Sequence, residues 1–245
     1  MSESKIVNSV ELKARLSDKE KSRWRAVIES GIKAQQLVAD VAAVGGTVAA
    51  LYAGHRISFD TDHLSASLKD HFDEVLVQLT ETPEWKTARI KRPVLILGSV
   101  NGQEVGFRQL RSSQPFEKAI LRTPYGDLIA PTLGELIGMK AYLAYFRNAT
   151  RDYLDFAALS ECLGETETIR SLLRLDDKYG ELQTTSVRLE VAKSLALPEP
   201  FDLQSTNLAE YKALSADWQD WQKTLEICRH YGALLAEKLM GEMIE

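Results

Sequence analysis

Asp60 and Asp62, in the segment FDTDH, are the side chains whose type and spacing point most directly to chemistry. Ile57, Phe59 and Thr61 alternate with Ser58, Asp60 and Asp62, the period of a strand with one polar face, so the two carboxylates share that face about 6 to 7 Å apart. Hard oxygen ligands at this separation suit Mg2+, and two such ions can activate an attacking hydroxyl and neutralise a leaving pyrophosphate. Upstream lies Gly45-Gly46-Thr47, where a strand gives way to a helix. The unpaired N–H groups and dipole of a helix start favour phosphate oxygens. Each part has an ordinary reading as well: glycine pairs often join strand to helix, and aspartates often punctuate strand ends.

The hydrophobic pattern supplies the scaffold for these groups. Trp24, Val27, Ile28 and Ile32 recur at helical spacing behind Asp18, which is placed to cap a helix over residues 18–36. LVADVAAV reads as the first strand, and Thr47 is placed to begin a short helix that Gly54 stops. A strand over 56–62 and a helix over 70–79 follow, then the strands PVLILGSV and QEVGFRQL, closed by the turn signal Asn101-Gly102. From Pro131 the pattern turns helical. Thr132 and Glu135 fit a capping box, and LGELIGMKAYLAYFR and RDYLDFAALSECLG read as successive helices. After the Pro198-Glu199-Pro200 break, an amphipathic helix is expected over 216–239. The fold class is α+β: a mixed β-sheet with flanking helices over residues 1–127, then a mostly helical region over 128–245.

Composition narrows the classes. The chain has 245 residues, 44% of them apolar, enough to bury a substantial core. No run approaches the roughly eighteen uncharged apolar residues of a membrane helix, and MSESKIVNSVELK lacks the apolar centre of a signal peptide, so a cytoplasmic location without membrane contact is expected. Cys162 and Cys228 are too few for a disulfide framework or a four-cysteine zinc site, and both read as small buried apolar residues. A net charge of −5 argues against coating nucleic acid through the overall field. Lys86, Arg89, Lys91 and Arg92 form a local basic cluster, with Arg108 and Arg111 on a later segment that can lie beside it; a solvated face is its ordinary reading.

Gly45-Gly46-Thr47, GHRIS and DTD, in that order, resemble the nucleotidyltransferases of the AbiEii toxin family, within the DNA polymerase β-like superfamily. MKAYLAYFRNATRDYLDFAAL, with Lys140, Arg147, Arg151, Asp152 and Asp155, is similar to that family's lysine, arginine and aspartate helix segment. The resemblance implies a nucleotidyltransferase-type sheet and an enzyme that uses a nucleoside triphosphate and Mg2+ within a toxin–antitoxin or abortive-infection system. It also implies an RNA acceptor, such as the ends of transfer RNA, or a protein acceptor, and a cognate antitoxin as partner. On the same ground Gly45, Gly46, Thr47, His55, Arg56, Ser58 and Lys140 hold the triphosphate, Asp60 and Asp62 hold metal, and Lys140, Asp152 and Asp155 join the two aspartates in catalysis. The residue pattern leaves a second account of Lys140, Arg147, Asp152 and Asp155 open, an ion-pair network between adjacent helices.

One position departs from the resemblance. The superfamily takes a third carboxylate from the neighbouring strand, where this chain has Gly106 in QEVGFRQ. Glu104 shares the face and is the candidate third metal ligand, but it stands one strand repeat away, about 6 to 7 Å, more than one extra methylene spans unless the register shifts. Two expectations follow: a working site restored by Glu104, or a fold that binds nucleotide with little or no transfer. His55, His63 and His71 fall on different elements and make no zinc face; His55 is expected beside the pocket, His63 at its rim and His71 on the surface. Trp218 and Trp221 form a helical stripe with Leu225 and Cys228 that reads as core rather than as a base-stacking surface.

Overall fold

In the computed structural model, which describes residues 5–242, Ser17 and not Asp18 caps the first helix, α1 (Asp18–Leu37). The Ser17 hydroxyl accepts the Glu20 backbone N–H, and the Glu20 carboxylate accepts the Ser17 N–H in return. The helix runs on through Leu37 and closes with the Val38 N–H donating to the Ala34 carbonyl. Only Ala42–Val44 (β2) of the expected first strand is therefore extended, after a turn in which Asp40 takes a φ of 56°.

Gly45 starts α2 (Gly45–Ala53) at once, so the glycine pair forms the first helical turn and Thr47 lies inside it rather than at its cap. Gly54 ends the helix in the left-handed region, φ 65°, as expected. Residues 54–59 are irregular, and β3 spans Asp60–Ser65. α3 (Phe72–Thr80) leads to β4 (Trp85–Lys91), a strand the sequence pattern did not announce, and then to the expected hairpin of β5 (Leu95–Val100) and β6 (Gln103–Gln109). Asn101 and Gly102 both have positive φ, 51° and 79°, which the two-residue turn requires.

These strands form one mixed sheet in the order β2-β3-β6-β5-β4, with β3 and β6 parallel and the other neighbours antiparallel. Behind it lies a core that includes Ala34, Val38, Phe72, Leu79, Trp85, Ile96, Val105 and Phe107. Gly31 lets α1 close on β3, since a methyl group there would stand 3.0 Å from Thr61 Cγ2. A second, three-stranded sheet, also unexpected, joins β1 (Lys5–Asn8), β7 (Lys118–Thr123) and β8 (Gly126–Pro131) in the order β1-β7-β8.

Both sheets belong to a first unit, which takes in the chain up to Arg111 and Pro115–Thr132; a second unit takes in Ser112–Gln114 and the chain from Leu133 onward. The second unit is helical: α4 (Leu133–Arg147), α5 (Thr150–Leu163), α6 (Glu165–Leu173), α7 (Leu175–Tyr179), α8 (Val187–Ala196) and α9 (Trp221–Glu242). The Thr132–Glu135 capping box does not form. Glu135 gives its carboxylate to Lys178 at 2.5 Å and Arg174 at 3.6 Å, while the Thr132 N–H donates to the Glu117 carbonyl. α9 begins later than expected, because Ala216–Trp218 is a separate 3-10 turn. Trp218 and Trp221 therefore do not share one helix, and Trp218 is buried as a core residue. Cys228 is buried as expected, whereas Cys162 is exposed.

Candidate active site

The antiparallel pairing of β2 with β3 sets Val44 beside Asp62, so the chain leaves the strand and turns into α2 next to that carboxylate. Gly45 makes the turn with a φ of 79°, a conformation that favours glycine. A methyl group on it would lie 4.0 Å from Asp62 Oδ2, which places the helix start and the aspartate side by side. Val44 makes no side-chain cap to the N–H groups of the first turn. Gly46 has a different reason to be glycine. A methyl group there would meet Arg56 Nη2 at 2.6 Å and both Arg56 Nη1 and Ser58 Oγ at 3.0 Å.

Arg56 thus brings a guanidinium, 2% exposed, against the backbone of the helix start. Its Nη1 donates to the Ile57 carbonyl at 3.0 Å. Thr47 and Ser58 act on Asp60: the Thr47 hydroxyl donates to the Asp60 carbonyl at 2.6 Å, and the Ser58 hydroxyl donates to Asp60 Oδ1 at 2.8 Å. The loop between α2 and β3 is therefore tied to the aspartate at its end. Sequence reading assigned Thr47 and Ser58 to nucleotide; in the structure the Thr47 hydroxyl is bonded to the Asp60 backbone carbonyl and the Ser58 hydroxyl to the Asp60 carboxylate.

The parallel register of β3 with β6 pairs Asp60 with Glu104, Asp62 with Gly106 and Leu64 with Arg108. Asp60, Asp62 and Glu104 lie on one face, and the bare backbone of Gly106 stands beside Asp62. Asp62 leans over it: Oδ1 accepts from Arg108 Nε at 2.9 Å, and a methyl group on Gly106 would stand 2.5 Å from the same oxygen. Sequence reading missed this pairing, although Gly106 and Arg108 two positions apart on the site's own face were its signal.

Among the described residues no group of three or more His, Cys, Asp or Glu side chains is placed to hold a metal ion. Asp60 and Asp62 still fit the way Mg2+ is usually held in phosphate sites, by one or two carboxylates together with phosphate oxygens and water.

The same face continues across the sheet into basic residues. Register sets Lys86, Ser99 and Glu104 in one row, Arg89, Leu97 and Gly106 in the next, and Lys91, Leu95 and Arg108 in a third. A shift of register between Thr87 and Arg89 makes this possible, because it brings Arg89 and Lys91 to the face that Lys86 already shares. The sequence showed the cluster without its face.

His63 is not at the rim. It lies on the rear face of β3, fully buried, with Nε2 3.2 Å from the Gly31 carbonyl and its ring 5.4 Å from Phe107. Burial pushes its pKa down to about 4 against the pull of the Gly31 and Gly106 carbonyls, so the ring is neutral at pH 7. His55 is also fully buried, in the loop after α2, and His71 is exposed beside Glu74.

In the second unit, Lys140 on α4 reaches Asp155 Oδ2 at 2.6 Å and Asp152 Oδ1 at 3.4 Å, both on α5. Arg147 binds Asp152 through Nη2 at 2.8 Å and Nε at 3.1 Å. Both aspartates are 0% exposed and Lys140 is 3% exposed, so the expected lysine, arginine and aspartate segment closes into a buried ion-pair network between two helices.

A strand leading into a glycine-started helix, a return strand bearing two aspartates and a parallel neighbour from a hairpin make up the nucleotidyltransferase fold. Solved structures bear this out. The chain is similar to MenT4, a nucleotidyltransferase toxin from Mycobacterium tuberculosis, with a TM-score of 0.55 and 14% identity, over 91% of this chain and 86% of that one. It is similar to JHP933 from Helicobacter pylori with a TM-score of 0.52 and 14% identity, over 94% of this chain and 97% of that one. No family model matches the sequence. Among curated proteins, 127 residues are 27% identical to the mycolic acid-containing lipids exporter MmpL11 of Mycolicibacterium smegmatis, and 110 residues are 31% identical to the probable transport protein MmpL11 of Mycobacterium leprae. The chain spans only 13% and 11% of the length of those relatives. Among the described residues no helix is long and apolar enough to cross a membrane.

Proposed function

We propose that the protein is a Mg2+-dependent nucleotidyltransferase that moves the nucleotidyl group of a nucleoside triphosphate onto a hydroxyl of RNA or protein and releases pyrophosphate. The observation that carries this reading is the closeness of the uncapped α2 start to Asp62, with Asp60 held beside it by Thr47 and Ser58. The N–H groups of Gly45, Gly46 and Thr47 and the Arg56 guanidinium offer positive charge to the phosphates. Asp60 and Asp62 are the residues that would hold Mg2+. When bound, the ion supplies positive charge that polarises the phosphate under attack and neutralises the departing pyrophosphate.

The basic rows on the same face favour RNA over protein as acceptor, since Lys86, Arg89 and Lys91 are placed to neutralise backbone phosphates. The likeness in fold to MenT4 supports a toxin role, with a cognate antitoxin as partner and the cytoplasm as location. Full burial supports a structural role for Lys140, Asp152 and Asp155 within the helical unit.

The test is incubation with Mg2+, each of the four labelled nucleoside triphosphates, and total RNA or cell lysate, alongside Asp60→Asn and Asp62→Asn. The reading expects label in a macromolecule with the unaltered protein and none with either variant. Incorporation that survives both substitutions, or that appears with no substrate, overturns it. Gly106 favours a second reading, triphosphate binding without transfer; calorimetry showing tight, Mg2+-dependent binding beside a transfer assay that stays blank is its signature.

A further inference from the structure

We propose that this site takes one divalent cation rather than two, and that the Arg108 guanidinium stands as the fixed positive charge in place of the second. The inference rests on the nucleotidyltransferase reading above, because it concerns the ions of that reaction. Gly106 does more than remove a ligand. A side chain there would run into Asp62 Oδ1 at 2.5 Å and Leu97 Cδ2 at 2.8 Å, so the glycine makes the space across which Asp62 reaches Arg108. Nε then sits 2.9 Å from Oδ1, so one of the two oxygens that Asp62 would offer to cations is already engaged by the guanidinium. Glu104 does not make up the loss. It registers with Asp60, one strand repeat from Gly106 and on the side away from Arg108, and no set of three carboxylates is gathered among the described residues.

Charge points the same way. Asp60, Asp62, Glu104 and Arg108, all on this face, together carry −2, which one divalent ion balances; a second would have to compete with the guanidinium for Asp62. Arg108 is well suited to stay. Its planar fork matches phosphate as well as carboxylate, so it keeps an anionic partner when a triphosphate arrives. The pair is partly open to solvent, with side-chain exposures of 43% and 30%, so Asp62 is held without being sealed off from a first ion.

The test counts Mn2+ by electron paramagnetic resonance in the complex of the full chain with a non-hydrolysable triphosphate. Calorimetry first establishes that the nucleotide binds. The expected spectrum is one magnetically isolated Mn2+ for each protein–nucleotide complex, whereas two ions about 3.5 to 4 Å apart would couple and overturn the inference while leaving the transfer reading intact. Arg108→Gln is expected to keep the count at one and tighten Mn2+ binding about threefold by releasing Asp62 from an exposed ion pair; unchanged affinity removes Arg108 from the account. Gly106→Asp combined with Arg108→Ala is expected to admit a second, coupled ion, and a folded double variant that still takes one contradicts the proposal. Nucleotide binding with an Mn2+ held no more tightly than on free nucleotide, and unaffected by Asp60→Asn and Asp62→Asn, overturns the inference and the metal-dependent reading together.

Discussion

Gly46→Ala separates a phosphate cradle from an ordinary helix start. The added methyl would stand 2.6 Å from Arg56 Nη2 and 3.0 Å from Nη1 and Ser58 Oγ, closer than carbon tolerates. Arg56 is 2% exposed and cannot swing into solvent, so either the guanidinium or the first turn of α2 must shift. Overpacking of this kind costs about 1 to 3 kcal/mol, and alanine in a helix returns up to about 1 kcal/mol relative to glycine, leaving a net loss of stability of about 0 to 3 kcal/mol. The effect on binding is larger relative to the perturbation. If the N–H groups and the guanidinium lose their alignment on the phosphates, one charge-assisted hydrogen bond, about 1.5 to 3 kcal/mol, is forfeited, and triphosphate affinity falls about 10- to 150-fold. Gly45→Ala is the companion. It meets only ordinary contacts at 3.9 and 4.0 Å but must hold a φ of 79°, so it loses about 1 to 2 kcal/mol of stability and keeps most of its affinity. Calorimetric titration with Mg2+ and triphosphate, beside urea denaturation, reads both quantities. A folded Gly46→Ala protein that binds triphosphate as tightly as the unaltered chain refutes the cradle.

Further expectations concern the core, the helical unit and the acceptor. His63 carries a folded pKa of about 4 against an ordinary 6.5, so below pH 6.5 the unfolded chain takes up a proton that the folded chain refuses, and stability falls as pH drops through that window. Between pH 7 and pH 5 this amounts to about 2 kcal/mol, read by urea denaturation as the extra loss of the unaltered chain over His63→Gln. Lys140→Met leaves Asp152 and Asp155 buried without their lysine and is expected to destabilise by about 3 to 5 kcal/mol; Lys140→Met combined with Asp155→Leu recovers part of this, and a single variant as stable as the parent removes the network account. Replacing Lys86, Arg89 and Lys91 together by glutamine is expected to weaken RNA binding and to lower the slope of log affinity against log salt by about 2, at about 0.7 per phosphate contact, measured by fluorescence anisotropy.

What the sequence revealed follows from how local the determining forces are. The Asn101-Gly102 hairpin and the α4 and α5 helices were legible, because a positive-φ turn and a 3.6-residue apolar period are written in adjacent residues. β4 was not: apart from Trp85 its residues are exposed, and an edge strand filled with Lys86, Arg89 and Lys91 has no apolar alternation to betray it. The first strand was overread because LVADVAAV is apolar enough to look extended, while the preceding helix runs on through Leu37 and a turn with Asp40 at positive φ follows it. In the site, the shared face of Asp60 and Asp62 and the glycine at 106 could be read in advance. The grip of Arg108 on Asp62, the burial of His63 and the pairing of Glu104 with Asp60 depend on strand register and on the approach of α1 at Gly31, which only the assembled sheet fixes.

The central claim is that the bond broken lies between the α- and β-phosphates. Parallel reactions with triphosphate labelled at the α- or the γ-phosphorus, in the presence of Mg2+ and cell RNA, test it most directly. The account predicts α-label joined to RNA and γ-label released as pyrophosphate, with both signals lost in Asp60→Asn and Asp62→Asn. Transfer of the γ-label to the acceptor, or release of α-label as free nucleotide with none on RNA or protein, would contradict it.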